Sequence, residues 1–141
     1  MNIAMKKMKA IVATAYGGPD VLEVTEVHKP VPKANELLIK IDATSITAAG
    51  ATMRKGTPFI GRIFTGLIKP NIRIPGTDLA GTIEAVGESV TRFEVGDKVM
   101  AETDMNFGSY AEYICMPEDS LIVHKPENMS SEQATGVLDG A

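Results

Sequence analysis

Residues 74–100 read IPGTDLAGTIEAVGESVTRFEVGDKVM, and this stretch decides the fold. It carries four of the chain's 13 glycines, Gly76, Gly81, Gly87 and Gly96, each at an edge between apolar runs. Glycine at such edges supplies a positive φ, or lets another backbone come close, without a Cβ cost. Thr82, Ile83, Glu84 and Ala85 alternate polar and apolar, the period of a half-buried strand. Phe93 and Val95 alternate with Arg92 and Glu94 before a turn at Val95, Gly96 and Asp97. Strand, turn, strand, turn predicts a mainly β chain built as a small barrel or curved sheet.

Working outward, a first strand is expected at 8–16, turning at Gly17, Gly18, Pro19 and Asp20, and a second at 21–27. The alternation of Leu22 and Val24 with Glu23 and Thr25 slips before Val27, which predicts a bulge. Pro30, Pro32 and Asn35 break the chain. In 36–46, Leu37, Ile39, Ile41 and Ala43 share one face and Lys40, Asp42 and Thr44 the other, with Leu38 the exception. A short helix is expected at 48–55, stopped by Gly56. Ile60, Ile63, Phe64, Leu67 and Ile68 form a helical stripe that Gly61 and Gly66 weaken, a short or broken helix in the excursion 59–75 and more a packing surface than a substrate wall.

Further strands are read at 98–102, 109–116 and 121–124, with a loop at 103–107. Ser130 is an N-cap with Gln133 at the third helical position, the pattern of a capping box. The helix it opens has hardly begun at Ala141, so 134–141 reads as cut rather than finished.

At 141 residues the chain is one domain by size, able to bury roughly 68% of its unfolded surface. A net charge of -4 argues against nucleic acid as a partner, which calls for a basic footprint. No apolar run reaches the ~18 residues of a membrane span, so no membrane partner is expected. The start, MNIAMKKMKA, lacks the apolar region of a signal peptide. The single cysteine excludes an internal disulfide and fits a reducing, cytoplasmic location.

The order of motifs resembles the medium-chain dehydrogenase/reductase superfamily. Met8, Lys9 and Ala10, followed by Gly17 to Leu22, resemble its opening. Pro75 to Gly81, Val86 and Gly87, Val90 to Phe93 and Val95 to Val99 resemble its middle, and Gly108 to Tyr113 with 126–134 complete the match. The resemblance implies a GroES-like catalytic domain, a partly open β-barrel with a few short helices. Within the superfamily the chain is most similar to the zinc-independent quinone oxidoreductase branch, NADPH-dependent reductases of quinones and other α,β-unsaturated carbonyls. The family's glycine-rich nucleotide-binding turn has no counterpart here. The implied organisation is a frayed extension at 1–7, an incomplete GroES-like domain at 8–130, and at 131–141 the start of the connection to a missing nucleotide-binding domain.

Zinc-dependent relatives carry Cys where this chain has Ile46 or Thr47, and Gly-His-Glu where it has Gly76, Thr77 and Asp78. Threonine cannot replace an imidazole, and a lone carboxylate is a poor zinc site, so no metal is expected. Asp78 reads instead as a turn cap or structural hydrogen-bond acceptor. Cys115 reads as a small buried hydrophobe, and His28 and His124 as surface or turn histidines.

The resemblance places the nicotinamide and the substrate beside 45–54, which usually reads Val-Asn-x-x-Asp and here reads Ile46, Thr47, Ala48, Ala49, Gly50. Thr47 keeps a hydrogen-bonding side chain that would orient a carbonyl or the carboxamide, or would cap the helix at 48–55; the two roles are compatible. Gly50 lacks the acid, and Arg54 reads as solvated. The expected cleft comprises Ser45, Ile46, Thr47, Ala48, Met53, Phe107 and Tyr110, with Phe59 and Phe64 as further apolar candidates. NADPH and a small-molecule carbonyl are implied for a longer parent, the present chain alone being inactive. Self-association through the surface left by the missing half, by way of 59–75 or the tail, is expected. A stand-alone GroES-like binding or assembly module is the alternative, the fold being shared with the co-chaperonin; a zinc alcohol dehydrogenase would require stoichiometric metal.

Overall fold

A computed structural model describes residues 6–15, 17, 20, 22–45, 74–103 and 107–140. The helix expected at 48–55 and the stripe of Ile60 to Ile68 lie outside the described residues. Strands β1 (Lys7–Ala13) and β2 (Leu22–His28) form an antiparallel ribbon. A five-stranded antiparallel sheet contains β3 (Glu36–Ala43), β4 (Asp78–Val86), β5 (Lys98–Glu102), β6 (Tyr113–Pro117) and β7 (Leu121–His124), in the order β6-β3-β4-β5-β7. Among the described residues a helix, α1 (Ser131–Gly140), follows.

That order forces curvature. Strands β6 and β7 lie at opposite edges yet are joined by residues 118–120 alone, in a turn closed by Ser120 N–H on the Pro117 carbonyl at 3.1 Å. Four inter-strand spacings in a flat sheet would separate the edges by about 19 Å. The connector reaches at most about 15 Å. The sheet therefore curls into a half-barrel, the GroES-like form, with β6 and β7 flanking its seam.

The concave side holds the core: Leu37, Ile39, Leu79, Ile83, Val99, Ala101, Met116 and Ile122, plugged by Phe93. On the convex side Ala80 and Met100 pack under Ala134 of α1, with Met129 beside them. Ser130 and Gln133 make the expected reciprocal cap: Gln133 N–H donates to Ser130 Oγ at 3.1 Å, and Ser130 N–H to Gln133 Oε1 at 2.9 Å. Leu38, the exception to the alternation of β3, is buried on the convex side, where it lines a hollow with Ala85, Pro30, Val31 and Pro32.

The glycines of 74–100 divide as expected between two uses. Gly76 and Gly96 have φ of +104° and +95°, whereas at Gly81 and Gly87 a Cβ would run into the backbone carbonyls of Lys40 and of Lys33 and Ala34.

Several local expectations are corrected. The ribbon pairs without interruption from Lys7↔His28 to Ala13↔Leu22, so β2 has no bulge. Most of β2 is exposed, and without a buried face its apolar phase carries no register information. Bulges occur instead between β3 and β4: Leu38 faces Ala85 while Ile39 faces Ile83, leaving Glu84 extra, and Asp42 is extra between Ile41 and Ala43. Ile83 and Ala85, expected on one face, thus lie on opposite faces.

Residues 92–95 form no strand. Glu94 to Asp97 is a turn, with Asp97 N–H on the Glu94 carbonyl at 3.2 Å and Glu94 N–H on Asp97 Oδ2 at 3.0 Å. Phe93 points into the core and Val95 is 60% exposed. The first strand stops at Ala13, the third at Ala43, and the strand expected from 109 begins at Tyr113. Residues 109–112 are drawn to separate partners: Ser109 and Tyr110 N–H to the Gly76 and Pro75 carbonyls, and Ala111 to Ala10.

Candidate functional site

Strand β3 ends at Ala43, and the next two residues cross the start of β4. There Asp78, the first residue of β4, is 1% exposed. Burial of a carboxylate is tolerated where hydrogen bonds replace water, and residues 44 and 45 supply them. Ser45 N–H donates to Asp78 Oδ1 at 2.9 Å, and Ser45 Oγ donates to Asp78 Oδ2. The Thr44 hydroxyl lies 2.6 Å from the Asp78 carbonyl and 3.3 Å from its Oδ1.

A second layer supports the first. Ser109, fully buried, places Oγ 2.9 Å from Thr44 Oγ1, and Tyr110 OH donates to the Ser45 carbonyl at 3.2 Å. Gly76 leaves room for both: a Cβ there would collide with Ser109 Oγ and lie 2.7 Å from the Tyr110 ring. Thr103, also buried, closes the knot through its N–H on the Thr77 carbonyl at 2.7 Å and its hydroxyl on the Gly76 carbonyl at 3.2 Å. The structural-acceptor reading of Asp78 therefore matches the geometry. Thr44 and Ser109, which hydroxyl chemistry alone did not single out, complete it.

Two hollows border this knot. One, of about 360 Å³, is lined by Ile11, Val24, Ile41, Thr44, Ser109 and Tyr110 and is largely apolar. The other, of about 500 Å³, lies at the β6/β7 seam and is lined by Thr103, Phe107, Ile114, Cys115, Met116 and Leu121 among others. Of the residues expected in one cleft, Ser45 and Tyr110 meet. Phe107 lines the seam instead, where it adopts φ +55° ahead of Gly108 at +104°. A positive φ costs an L-residue roughly 1–2 kcal/mol, so the burial of the Phe107 ring offsets a local strain. Ile46, Thr47, Ala48, Met53, Phe59 and Phe64 lie outside the described residues.

Cys115 is half-buried on β6, and burial, with the Glu36 carboxylate adding to it, pushes its thiol up to about 11. His28 is exposed at the end of β2. His124 is exposed too, with Nε2 3.3 Å from Asp97 Oδ2 and its ring 5.0 Å from that of Phe93. Among the described residues no three His, Cys, Asp or Glu side chains cluster as metal ligands would. No described helix is long and apolar enough to cross a membrane.

The architecture has close counterparts. Residues 33–127 match the family described as the alcohol dehydrogenase GroES-like domain. The chain is 38% identical over 136 residues to the chloroplastic quinone-oxidoreductase homolog of Spinacia oleracea, covering 94% of this chain and 39% of that protein. It is 35% identical over 140 residues to the chloroplastic NADPH-dependent alkenal/one oxidoreductase of Arabidopsis thaliana, covering 94% of this chain and 34% of that one. The quinone oxidoreductase structure from Coxiella burnetii superimposes with a TM-score of 0.81 at 32% identity, over 92% of this chain and 40% of that one. The chain thus spans about two fifths of the length of the curated relatives it matches. The family match over 33–127, with the superposition of the curled β sheet on a quinone oxidoreductase, makes this chain a member of the alcohol dehydrogenase GroES-like domain family, similar to the quinone oxidoreductases of the medium-chain dehydrogenase/reductase superfamily.

Proposed function

We propose that this chain supplies the substrate-side wall of a cleft in an NADPH-dependent, zinc-independent reductase of quinones or other α,β-unsaturated carbonyls. The observation that carries the reading is the buried anchor of Ser45 on Asp78, set where the chain leaves β3 in a fold shared with an alkenal/one oxidoreductase.

When bound, mainly by residues outside this chain, NADPH would supply a hydride for reduction of the enone or quinone. The residues here orient the substrate and exclude water, and the proton that completes the reduction comes from solvent or a neighbouring hydroxyl. Thr47 is assigned the orienting of the carbonyl, with backbone amides beside it polarising the oxygen. Zinc does not fit the donor set: Thr77 has no ligating nitrogen, and both Asp78 oxygens already accept hydrogen bonds from residues 44 and 45.

The test is a pair of measurements. NADPH titrated into the 141-residue chain should give no tight binding, and the product of the gene's complete reading frame should oxidise NADPH when offered a quinone or an enone. Tight binding by this chain alone overturns the division of labour. A complete product that stops at Ala141, and binds no nucleotide, favours the stand-alone binding or assembly module.

A further inference from the structure

The knot at residue 78 joins parts of the chain that are far apart. Thr44 and Ser45 meet Asp78 across 34 and 33 positions of sequence, and Tyr110 and Ser109 reach the same two residues across 65. Asp78 is fixed in turn by β4, where Asp78 pairs with Glu102 and Leu79, beside it, is wholly buried. Ser45 is the last residue before 46–54, and its N–H, hydroxyl and carbonyl are all engaged. A residue held at three points has a fixed peptide plane, and the direction of the next bond follows from it.

We propose that Asp78 is a positioning residue: its carboxylate, clamped by the Ser45 amide and by the hydroxyls of Thr44 and Ser45, sets the direction in which the chain leaves β3. The role rests on the reductase reading for its use, since that reading puts substrate beside 46–54. It is a geometric role, not a charged one. Asparagine has the same shape, and its Oδ1 would accept from the Ser45 N–H and the Thr44 hydroxyl. Its Nδ2 would donate to Ser45 Oγ, which turns to accept. Alanine offers none of these contacts. A carboxylate acting through its charge, as a cation ligand or proton carrier, would lose its function equally in both variants.

The experiment compares Asp78→Asn and Asp78→Ala in the 141-residue chain by amide hydrogen exchange and by the amide resonances of 45–54. In Asp78→Ala the Ser45 amide should exchange about tenfold faster, the loss expected for one buried hydrogen bond. Resonances of 45–54 should move while those of β5 and β7 stay in place. Asp78→Asn should restore both within about threefold. Should Asp78→Ala not fold, the double variant Thr44→Val and Ser45→Ala removes both hydroxyls and leaves the carboxylate, and should show the same local shifts in milder form.

In the complete reading-frame product, Asp78→Ala should lower kcat about ten- to a hundredfold, with KM for NADPH little changed. Equal effects of Asn and Ala, or unmoved 45–54 resonances in Ala or the double variant, would overturn the proposal. If the wild-type product reduces no carbonyl, the reductase reading falls, while the exchange comparison still decides whether Asp78 holds Ser45.

Discussion

Three glycines that look alike in sequence should respond to alanine with different magnitudes and one with the opposite sign. Gly76 has φ +104°, and its Cβ would collide with Ser109 Oγ and lie 2.7 and 3.0 Å from Cδ1 and Cε1 of Tyr110. The backbone term is about 1–2 kcal/mol, and forcing a methyl into filled space adds about 1–3. Gly76→Ala should therefore cost about 2–5 kcal/mol, a large share of the roughly 5–15 that holds a domain folded. Gly96 has a similar φ of +95° but open space around its Cβ position. Gly96→Ala should cost the backbone term alone, about 1–2 kcal/mol.

Gly136 sits in α1 with nothing near its Cβ position, and there alanine should stabilise by about 1 kcal/mol. At roughly 2–4 °C per kcal/mol for this size, the midpoints should fall by about 4–20 °C, fall by about 2–8 °C and rise by about 2–4 °C respectively. Far-UV circular dichroism in heat and urea reads all three, the chain having no tryptophan for fluorescence. A Gly96→Ala variant as unstable as Gly76→Ala would show that the crowding by Ser109 and Tyr110 contributes nothing, and the packing of the knot described above would be wrong.

Other outcomes follow from separate contacts. Ser130→Ala should remove one arm of the cap on α1 and lower stability by about 1 kcal/mol in the same melts, with Gln133→Ala costing less. Ile39→Ala, at a wholly buried core position, should cost about 2–5 kcal/mol. The hydrogen bond from Lys29 Nζ to Glu84 Oε2 at 2.8 Å lowers the Glu84 carboxyl and raises the Lys29 ammonium. Its contribution should be whole between their ordinary values of 4.5 and 10.5, fading as pH falls below the first or climbs past the second. Glu84→Gln should flatten the acid limb of a plot of melting temperature against pH. With its thiol moved from 9.0 to about 11, Cys115 should react with iodoacetamide near neutral pH about a hundredfold more slowly folded than unfolded, and equal rates would remove it from its half-buried place. Sedimentation velocity at high concentration should show self-association of the 141-residue chain, and a strictly monomeric profile would count against it.

The strands that matched expectation share a cause. Lys98–Glu102 and Leu121–His124 fell on their expected bounds because turn residues flank each, Gly96 and Asp97 before the one and Ser120 before the other. Each also has a face against the core, so the local pattern and the tertiary demand agree. The capping box was legible for the same reason, its two partners being three positions apart. Phe93 and Val95 mimic a strand over too few residues to tell a ladder from a turn that sends one side chain in and the next apolar one out. The knot at Asp78 illustrates a different limit. The acid could be read as a hydrogen-bond acceptor, but its donors at 44 and 45 and their support at 109 and 110 become neighbours only once the sheet has curled.

The bulges show why curvature in particular escapes a periodic reading. A strand pattern assumes one residue facing one residue, and each bulge breaks that count on a single strand while leaving the composition unchanged. Glu84 and Asp42 are polar residues in alternating strands and look like ordinary solvent-facing positions. Their effect is to shift phase, so that Ile83 and Val86 both face the concave core with two residues between them instead of one. Without that shift either Val86 or Ile83 would point outward. A bulge bends its strand and raises its twist, so residues that read as surface contribute to the curl of the sheet, and the bulge at Asp42 lies two residues before Thr44, at the end of β3 where Asp78 takes hold of Ser45.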